Sequence, residues 1–383
     1  MGSVSIRVAL GIAATALALA LGWLAWGYNL ERACTLGQWP ELPSCASPTN
    51  DVQAQASALR KRIARNPGDS EAWINLAMLE QGAALEMATK LAGQDYRVQR
   101  LQAGRAIERQ QWPQAVGWLV RLVQDNRDAP AALALAKMVL EPSALAAMIA
   151  QLENDSRWLE PVINSMPQAR VPVIKAMPLV VRALALKAVP PALLQRLLTG
   201  LKAEGQWMEA HALWLASLGH SVPLIFNGDF EQGFMPGGFD WEVLPVLPSR
   251  AGALVHQATA SGRGGVLEVD FTGRAVTLPI VRQYVMLMGN RYTLSGEFMT
   301  MRLRTEQGLT WALRCVVGGR EVAHTPPLKD TSGQWQPMEL AFDVPAGCGP
   351  ALVLQLQTVL PEEALGGLRG EVRFDNLQLQ VRP

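Results

Sequence analysis

Net charge is what this chain has least of. Across 383 residues, 34 Lys and Arg stand against 33 Asp and Glu, a balance of +1. Phosphate recognition needs a clustered basic excess, so nucleic acid is not expected as a partner. Histidine and cysteine are scarce at four each, which argues against a multi-metal enzyme or a zinc ribbon. No G-x-S-x-G elbow, P-loop, H-E-x-x-H or C-x-x-C occurs, so no common catalytic constellation marks an active site. What remains is largely apolar, 49% hydrophobic against 17% charged. Such a chain buries a core, and its length calls for two or three folded units.

An apolar run from Val8 to Tyr28 follows Arg7, the only charge before it. A helix of this length rises roughly 31 Å, which matches a hydrocarbon core of about 30 Å. Trp23, Trp26 and Tyr28 gather at the far end, where amphipathic rings favour the membrane–water boundary. Residues 1–30 therefore read as an uncleaved transmembrane anchor. Its N-terminus is expected in the cytoplasm and the bulk of the chain in the periplasm, on the inner membrane of a bacterium. The alternative is a signal peptide cut at Ala16-Leu17-Ala18 or Ala18-Leu19-Ala20, which would strand an apolar, Trp-rich stub. Residues 31–49 form a linker holding Cys34 and Cys45. Four cysteines allow three pairings, and the local choice is Cys34–Cys45 and Cys315–Cys348. An oxidising compartment would preserve both.

From Asn50 to His220 the sequence reads as helix after helix, rich in Ala and Leu. Leu59 and Ile63 share one face. Asn66-Pro67-Gly68 stops that helix, and Asp69 or Ser70 caps the next, which carries Trp73, Leu76, Ala77 and Leu79. Gln111-Trp112-Pro113-Gln114-Ala115 and Gln206-Trp207-Met208-Glu209-Ala210 are two versions of Gln-Trp-x-x-Ala. This grammar resembles tetratricopeptide repeats, with an irregular phase and a proline-rich stretch from Met166 to Pro191 that fits no consensus. The resemblance implies an α-solenoid over residues 50–220 that docks a protein partner; a packed spacer is the alternative. The tryptophans here, Trp73, Trp112, Trp118, Trp207 and Trp214, fall at core spacing.

At Ser221 the grammar changes to alternating, Gly- and Thr-rich runs. Strands are expected over 265–271, 279–287, 292–303, 309–317, 335–344, 351–358 and 371–381, separated by turn residues. Residues 221–383 thus read as an antiparallel β-sandwich, and the whole chain as a multidomain α + β protein. His211 and His220 lie in or just after the last helix, whereas His256 and His324 are expected in loops.

An entry strand is expected at Leu224 to Glu231, reading Asn227-Gly228-Asp229-Phe230-Glu231 at its end; a middle segment reads Gly289-Asn290-Arg291-Tyr292, and the exit strand Phe374-Asp375-Asn376-Leu377. With Trp335 ahead of Met338 to Phe342, these resemble the jelly-roll carbohydrate-binding modules of the galactose-binding-like superfamily. The resemblance implies that the first and last motifs lie side by side, and that Trp241, Tyr292 and Trp335 belong to the core. It also implies a structural calcium held by Glu231 and Asp375 with backbone carbonyls, although two carboxylates fall short of the roughly six to eight oxygens required. Otherwise these carboxylates cap turns or meet Arg373.

Glycan binding needs an aromatic platform flanked by forked polar groups. Tyr284 and Trp311 are the candidates, with Arg282, Glu297, Arg302 and Arg314 as polar neighbours. Tyr284 is favoured because it shares a face with Arg282, whereas Trp311 alternates in phase with Leu313 and Cys315. The expectation is a non-enzymatic, membrane-anchored envelope scaffold whose helices dock a protein and whose sandwich engages a polysaccharide, in polysaccharide assembly or export. The alternatives are a subunit of a secretion or pilus-like machine, and a polysaccharide hydrolase or lyase with unmarked carboxylates.

Overall fold

The structure, a computed structural model, describes residues 52–126, 128–235, 237–243, 251–287 and 291–382. The expected anchor, the linker with Cys34–Cys45, and Gly289-Asn290 of the middle motif lie outside the described residues. Among the described residues no helix is long and apolar enough to cross a membrane. The chain divides into two compact units, one ending at Gln111 and one beginning at Trp112. The change of grammar at Ser221 therefore falls inside the second unit.

The first unit holds α1 (Val52–Arg65), α2 (Ser70–Glu80), α3 (Gly82–Ala92) and α4 (Tyr96–Glu108). The Asn-Pro-Gly-Asp turn works as its residues dictate. Proline and glycine end α1, and Asp69 caps α2 by accepting from the Ala72 amide at 3.0 Å. The Trp73 indole donates to the Pro67 carbonyl at 2.8 Å, which pins the turn to the helix it starts. Ile63, Ile74, Leu76, Leu85 and Val98 fill the core, with Ala72, Ala77 and Ala88 letting the helices approach. Arg97 ties this unit together electrostatically, bonding Glu71 at 2.8 Å and Asp95 at 2.8 Å. Its guanidinium holds both carboxyls below their ordinary values.

The second unit opens with α5 (Trp112–Asn126), α6 (Ala129–Met138), α7 (Pro142–Gln151), α8 (Leu159–Ala169), α9 (Met177–Ala185), α10 (Pro191–Ala203) and α11 (Trp207–Leu218). Both Gln-Trp-x-x-Ala segments start a helix with the tryptophan as its first residue, and Ala115 and Ala210 are fully buried. Prolines 172, 178, 190 and 191 mark helix starts, where a missing N–H costs nothing; Pro167 sits inside α8. Trp207 and Trp214 are buried, whereas Trp73, Trp112 and Trp118 are only half-buried.

Two five-stranded antiparallel sheets follow, ordered β1-β4-β9-β6-β7 and β2-β3-β10-β5-β8. The first comprises β1 (Glu242–Val243), β4 (Val281–Met286), β9 (Ala351–Thr358), β6 (Leu309–Cys315) and β7 (Glu321–His324). The second comprises β2 (Ala253–Ala260), β3 (Gly264–Thr272), β10 (Arg369–Val381), β5 (Arg291–Arg304) and β8 (Gln336–Asp343). A short α12 (Pro361–Gly366) joins β9 to β10. Strands β1, β2 and β7 were not expected, and the entry strand expected at Leu224 to Glu231 is instead a turn, closed by the Phe230 amide donating to the Asn227 carbonyl at 3.2 Å. The three unexpected strands lie at sheet edges, and β2 (ALVHQATA) lacks the alternation that marks a half-buried strand. His256 and His324 accordingly sit in edge strands, not loops.

The sandwich core is strung on aromatic rings. Phe230 lies 5.4 Å from Trp241, Trp241 5.6 Å from Trp311, and Trp311 5.1 Å from Phe374. The opening and closing motifs meet as the resemblance implied. The Leu377 amide donates to the Gly228 carbonyl at 2.8 Å, and a Cβ on Gly228 would stand 2.0 Å from the Leu377 oxygen. Gln283 acts as a surrogate strand neighbour: its amide accepts from Phe226 N at 3.1 Å and donates to Phe226 O at 2.8 Å. The expected Cys315–Cys348 disulfide is present, closing a separation of 33 residues. A loop of that size contributes on the order of 3–4 kcal/mol in the chain-entropy account.

Candidate functional site

Strand β4 alternates strictly. Val281, Gln283 and Val285 are buried, which places Arg282 and Tyr284 on the outer face of the first sheet. Helices α10 and α11 reach this face. Trp207, the first residue of α11, brings its ring centre to 5.0 Å from that of Tyr284, tilted by 41°. Lys202, near the end of α10, sets its Nζ 5.0 Å from the Tyr284 ring centre and 4.8 Å from that of Phe239. The same Nζ donates to the Gly238 carbonyl at 2.6 Å and lies 3.5 Å from Glu242. Arg282 donates from Nε to Glu242 at 3.0 Å, with its guanidinium 5.3 Å from the Tyr284 ring centre. The 237–238 turn approaches closely enough only because it lacks side chains: a Cβ on Gly238 would lie 2.4 Å from the Trp214 indole nitrogen.

Together these groups line a cleft of about 770 Å³, within the usual size range of a small-molecule site. Gln195 and Thr199, also on α10, add an amide and a hydroxyl to its wall. Glu242 is the only carboxylate among the described lining residues. The Lys202 side chain is 11% exposed. Burial pushes its ammonium below the ordinary lysine value, opposed by the Glu242 carboxylate and reinforced by Arg282. Burial also pushes the Tyr284 hydroxyl upward.

Tyr284 and Arg282 are thus brought together, as their shared face implied. The other candidates are not with them. Trp311 is fully buried between the sheets, so its ring is core and offers no platform. Glu297 lies on the second sheet, where Arg263 forks onto both its oxygens and Asn376 donates to it at 3.3 Å. Arg302 is exposed on β5, and Arg314 on β6 pairs with Glu321. Trp241 and Tyr292 are core residues. Trp335 is not: it is half-buried, with the Arg263 guanidinium 4.3 Å from its ring centre. The sequence missed Lys202, Glu242 and Arg263. Nothing local marks them, since each acts across a long separation; Gln-Trp-x-x-Ala fixes where Trp207 starts its helix but not what its ring faces.

The residues expected to hold calcium do not fit a hard cation. Glu231 accepts from the Gly265 amide at 2.9 Å. Asp375 accepts from the Asn376 amide at 2.7 Å and from Arg263 at 3.3 Å. The Phe230 carbonyl accepts from the Gln257 amide. Nitrogen donors face the oxygens that a calcium ion would need. Arg373 pairs with Glu268 and Glu371 instead of these carboxylates. Elsewhere, His256, Glu268 and Asp270 bring ligand-type atoms within 4.8 Å of one another, with Arg373 on Glu268 at 2.7 Å.

Comparison with models of known families gives no match, and comparison with curated proteins gives none either. Solved structures do match. A carbohydrate-binding module described as "CBM4 structure and function" is 13% identical, with 41% of this chain and 99% of that one covered, at a TM-score of 0.31. The CBM22-1 xylan-binding domain of Paenibacillus barcinonensis Xyn10C is 16% identical, covering 40% and 91%, at 0.27. The module CBM6cm-2 of Cellvibrio mixtus lichenase 5A, solved with cellotriose, is 13% identical, covering 33% and 87%, at 0.21. Likenesses this slight assign the chain neither a family nor a ligand.

Proposed function

We propose that this protein is a non-enzymatic glycan-binding scaffold of the bacterial envelope, tethered by residues 1–30. One observation carries the binding reading: aromatic rings and polar groups converge in a single cleft of about 770 Å³, between the helices that carry Lys202 and Trp207 and the strand that carries Arg282 and Tyr284. Sugars are recognised by that combination, apolar ring faces against C–H surfaces and polar forks on hydroxyl pairs. The helical region of residues 50–220 would dock an envelope protein, and tethering would raise the local concentration of both functions. Such a pairing suits assembly or export of a polysaccharide.

Affinity electrophoresis of the full-length protein, purified in mild detergent, through gels containing a panel of neutral and acidic polysaccharides tests this reading. Retention by at least one polymer, lost in Trp207→Ala or Tyr284→Ala variants of unchanged circular dichroism, is the expected result. Migration unaffected by every polymer would overturn it, as would turnover of a retained polymer in a reducing-end assay.

A further inference from the structure

The cleft carries an uneven charge. Lys202 and Arg282 converge on it, and Glu242 is shared between them at 3.5 Å and 3.0 Å. Two cations against one carboxylate leave one positive charge unmatched among the described lining residues. Lys202 is also largely withdrawn from water, and a desolvated cation is costly unless an anion compensates it closely. Its contact with Glu242, at the long end of the ion-pair range, compensates it only in part.

The geometry around Tyr284 points the same way. Trp207, Lys202 and Arg282 all crowd its ring, at 5.0, 5.0 and 5.3 Å. A neutral sugar stacks best on a free ring face, and this ring is engaged in holding two cations in place. Arg282 spends its Nε on Glu242. Its two terminal nitrogens make no hydrogen bond among the described residues, which leaves a fork of the shape that a carboxylate accepts.

From this charge and geometry we infer that the glycan recognised here is anionic, carrying carboxylate groups in the manner of a uronic-acid polymer, and that Lys202 and Arg282 select it. This inference rests on the glycan-binding reading and adds the ligand's class to it. The carboxylate would bridge the Arg282 fork and the Lys202 ammonium, while the Gln195 amide and the Thr199 hydroxyl meet ring hydroxyls beside it. The rings of the cleft meet the sugar's C–H surface, and the two cations choose the anionic sugar among those that fit.

Isothermal titration of the full-length protein with polygalacturonate, carboxyl-reduced polygalacturonate, dextran sulfate and neutral xylan separates the cases. The expected result is saturable binding of polygalacturonate, lost on carboxyl reduction and weakened at least tenfold in Lys202→Met and in Arg282→Gln. Arg282 is half-exposed, so Arg282→Gln remains informative where Lys202→Met does not fold. Lys202→Arg should restore most of the affinity. Binding of xylan or of the reduced polymer with equal strength would overturn the inference and leave the glycan reading standing. Equal binding of dextran sulfate, untouched by either variant, would overturn it as nonspecific attraction to polyanions. Binding of none of the four would remove the inference, and the glycan reading falls with it only when the wider gel panel is also blank.

Discussion

Two clusters, one where helix α10 meets the first sheet and one on the second sheet, are built from the same parts and reach opposite charge balances. Against the first sheet, Lys202 of α10 and Arg282 of β4 share Glu242 beside Tyr284. On the second, Arg263 stacks on Trp335 and serves both Glu297 and Asp375. The Arg263 cluster has a negative surplus, one cation between two carboxylates, but its oxygens are held by hydrogen bonds: both Glu297 oxygens accept from Arg263, and Asp375 accepts from the Asn376 amide and from Arg263. The Lys202 cluster has cations to spare and a cavity in front of them. A surplus charge held by hydrogen bonds within the fold is part of its stability, whereas a surplus that faces open space stores affinity for an outside ion.

Breaking the two clusters should therefore have unlike consequences. Arg263→Ala leaves Asp375 buried and uncompensated, and is expected to cost about 2 to 3 kcal/mol by chemical denaturation, less than the roughly 3–5 kcal/mol of a fully buried pair. The discount reflects the exposure of Arg263 and Glu297, whose side chains are 26% and 33% accessible. Arg282→Ala should cost under about 1 kcal/mol and instead abolish polyuronate binding. Equal losses of stability would erase the contrast.

The pH profiles sharpen it. The ordinary lysine value is 10.5, and burial holds Lys202 below it, with Glu242, Arg282 and Tyr284 as the ionisable groups facing it. In the window between its lowered value and 10.5, the unfolded chain binds the extra proton, so folding stability rises with pH. Anion binding, which needs the proton, falls over the same window, by up to about tenfold per unit. Titration calorimetry from neutral to alkaline pH should show this loss below 10.5, and Glu242→Gln should move it toward neutrality. In the Arg263 cluster, Arg263 lowers the Glu297 carboxyl from its ordinary 4.5. Its stabilisation is complete above that value and disappears as pH falls through the lowered one. Burial raises Asp375 and works against this trend, so thermal melts of wild type and Glu297→Gln should converge in acid. The smallest effect belongs to Trp335→Leu. It removes one half-exposed cation–π contact and should cost about 0.5 to 1 kcal/mol in the same denaturation assay.

The sequence was most legible where a residue acts on its neighbours. Asn66-Pro67-Gly68-Asp69 stops one helix and caps the next through contacts within seven positions, and Tyr284 shares its face with Arg282 because strands alternate. Cys315–Cys348 was readable from separation alone. Trp335 was misplaced because its partner, Arg263, lies far away in sequence, and the resemblance offered only a core role. Lys202 was invisible for the same reason. It reads as one more lysine at the end of an amphipathic helix until Gly238 and Glu242 are folded against it. Edge strand β2 escaped because His256 and Gln257 blur its alternation. Its place is set by pairing with β3 along its whole length, not by a pattern of its own.

Strand β10 is the last of the described strands in chain order, yet it lies in the middle of its sheet, bonded to β3 on one side and β5 on the other. While the chain is being made, strands β2 through β9 emerge before the strand that joins β2–β3 to β5–β8. Until then that sheet exists only as two separate halves, each with a bare edge and with half of the core open to water. The sandwich is thus a lock whose bolt arrives last. A chain interrupted before Arg369 would be more than a shortened domain: it would carry two sticky ribbons that invite pairing with other chains, a ready substrate for chaperones and proteases.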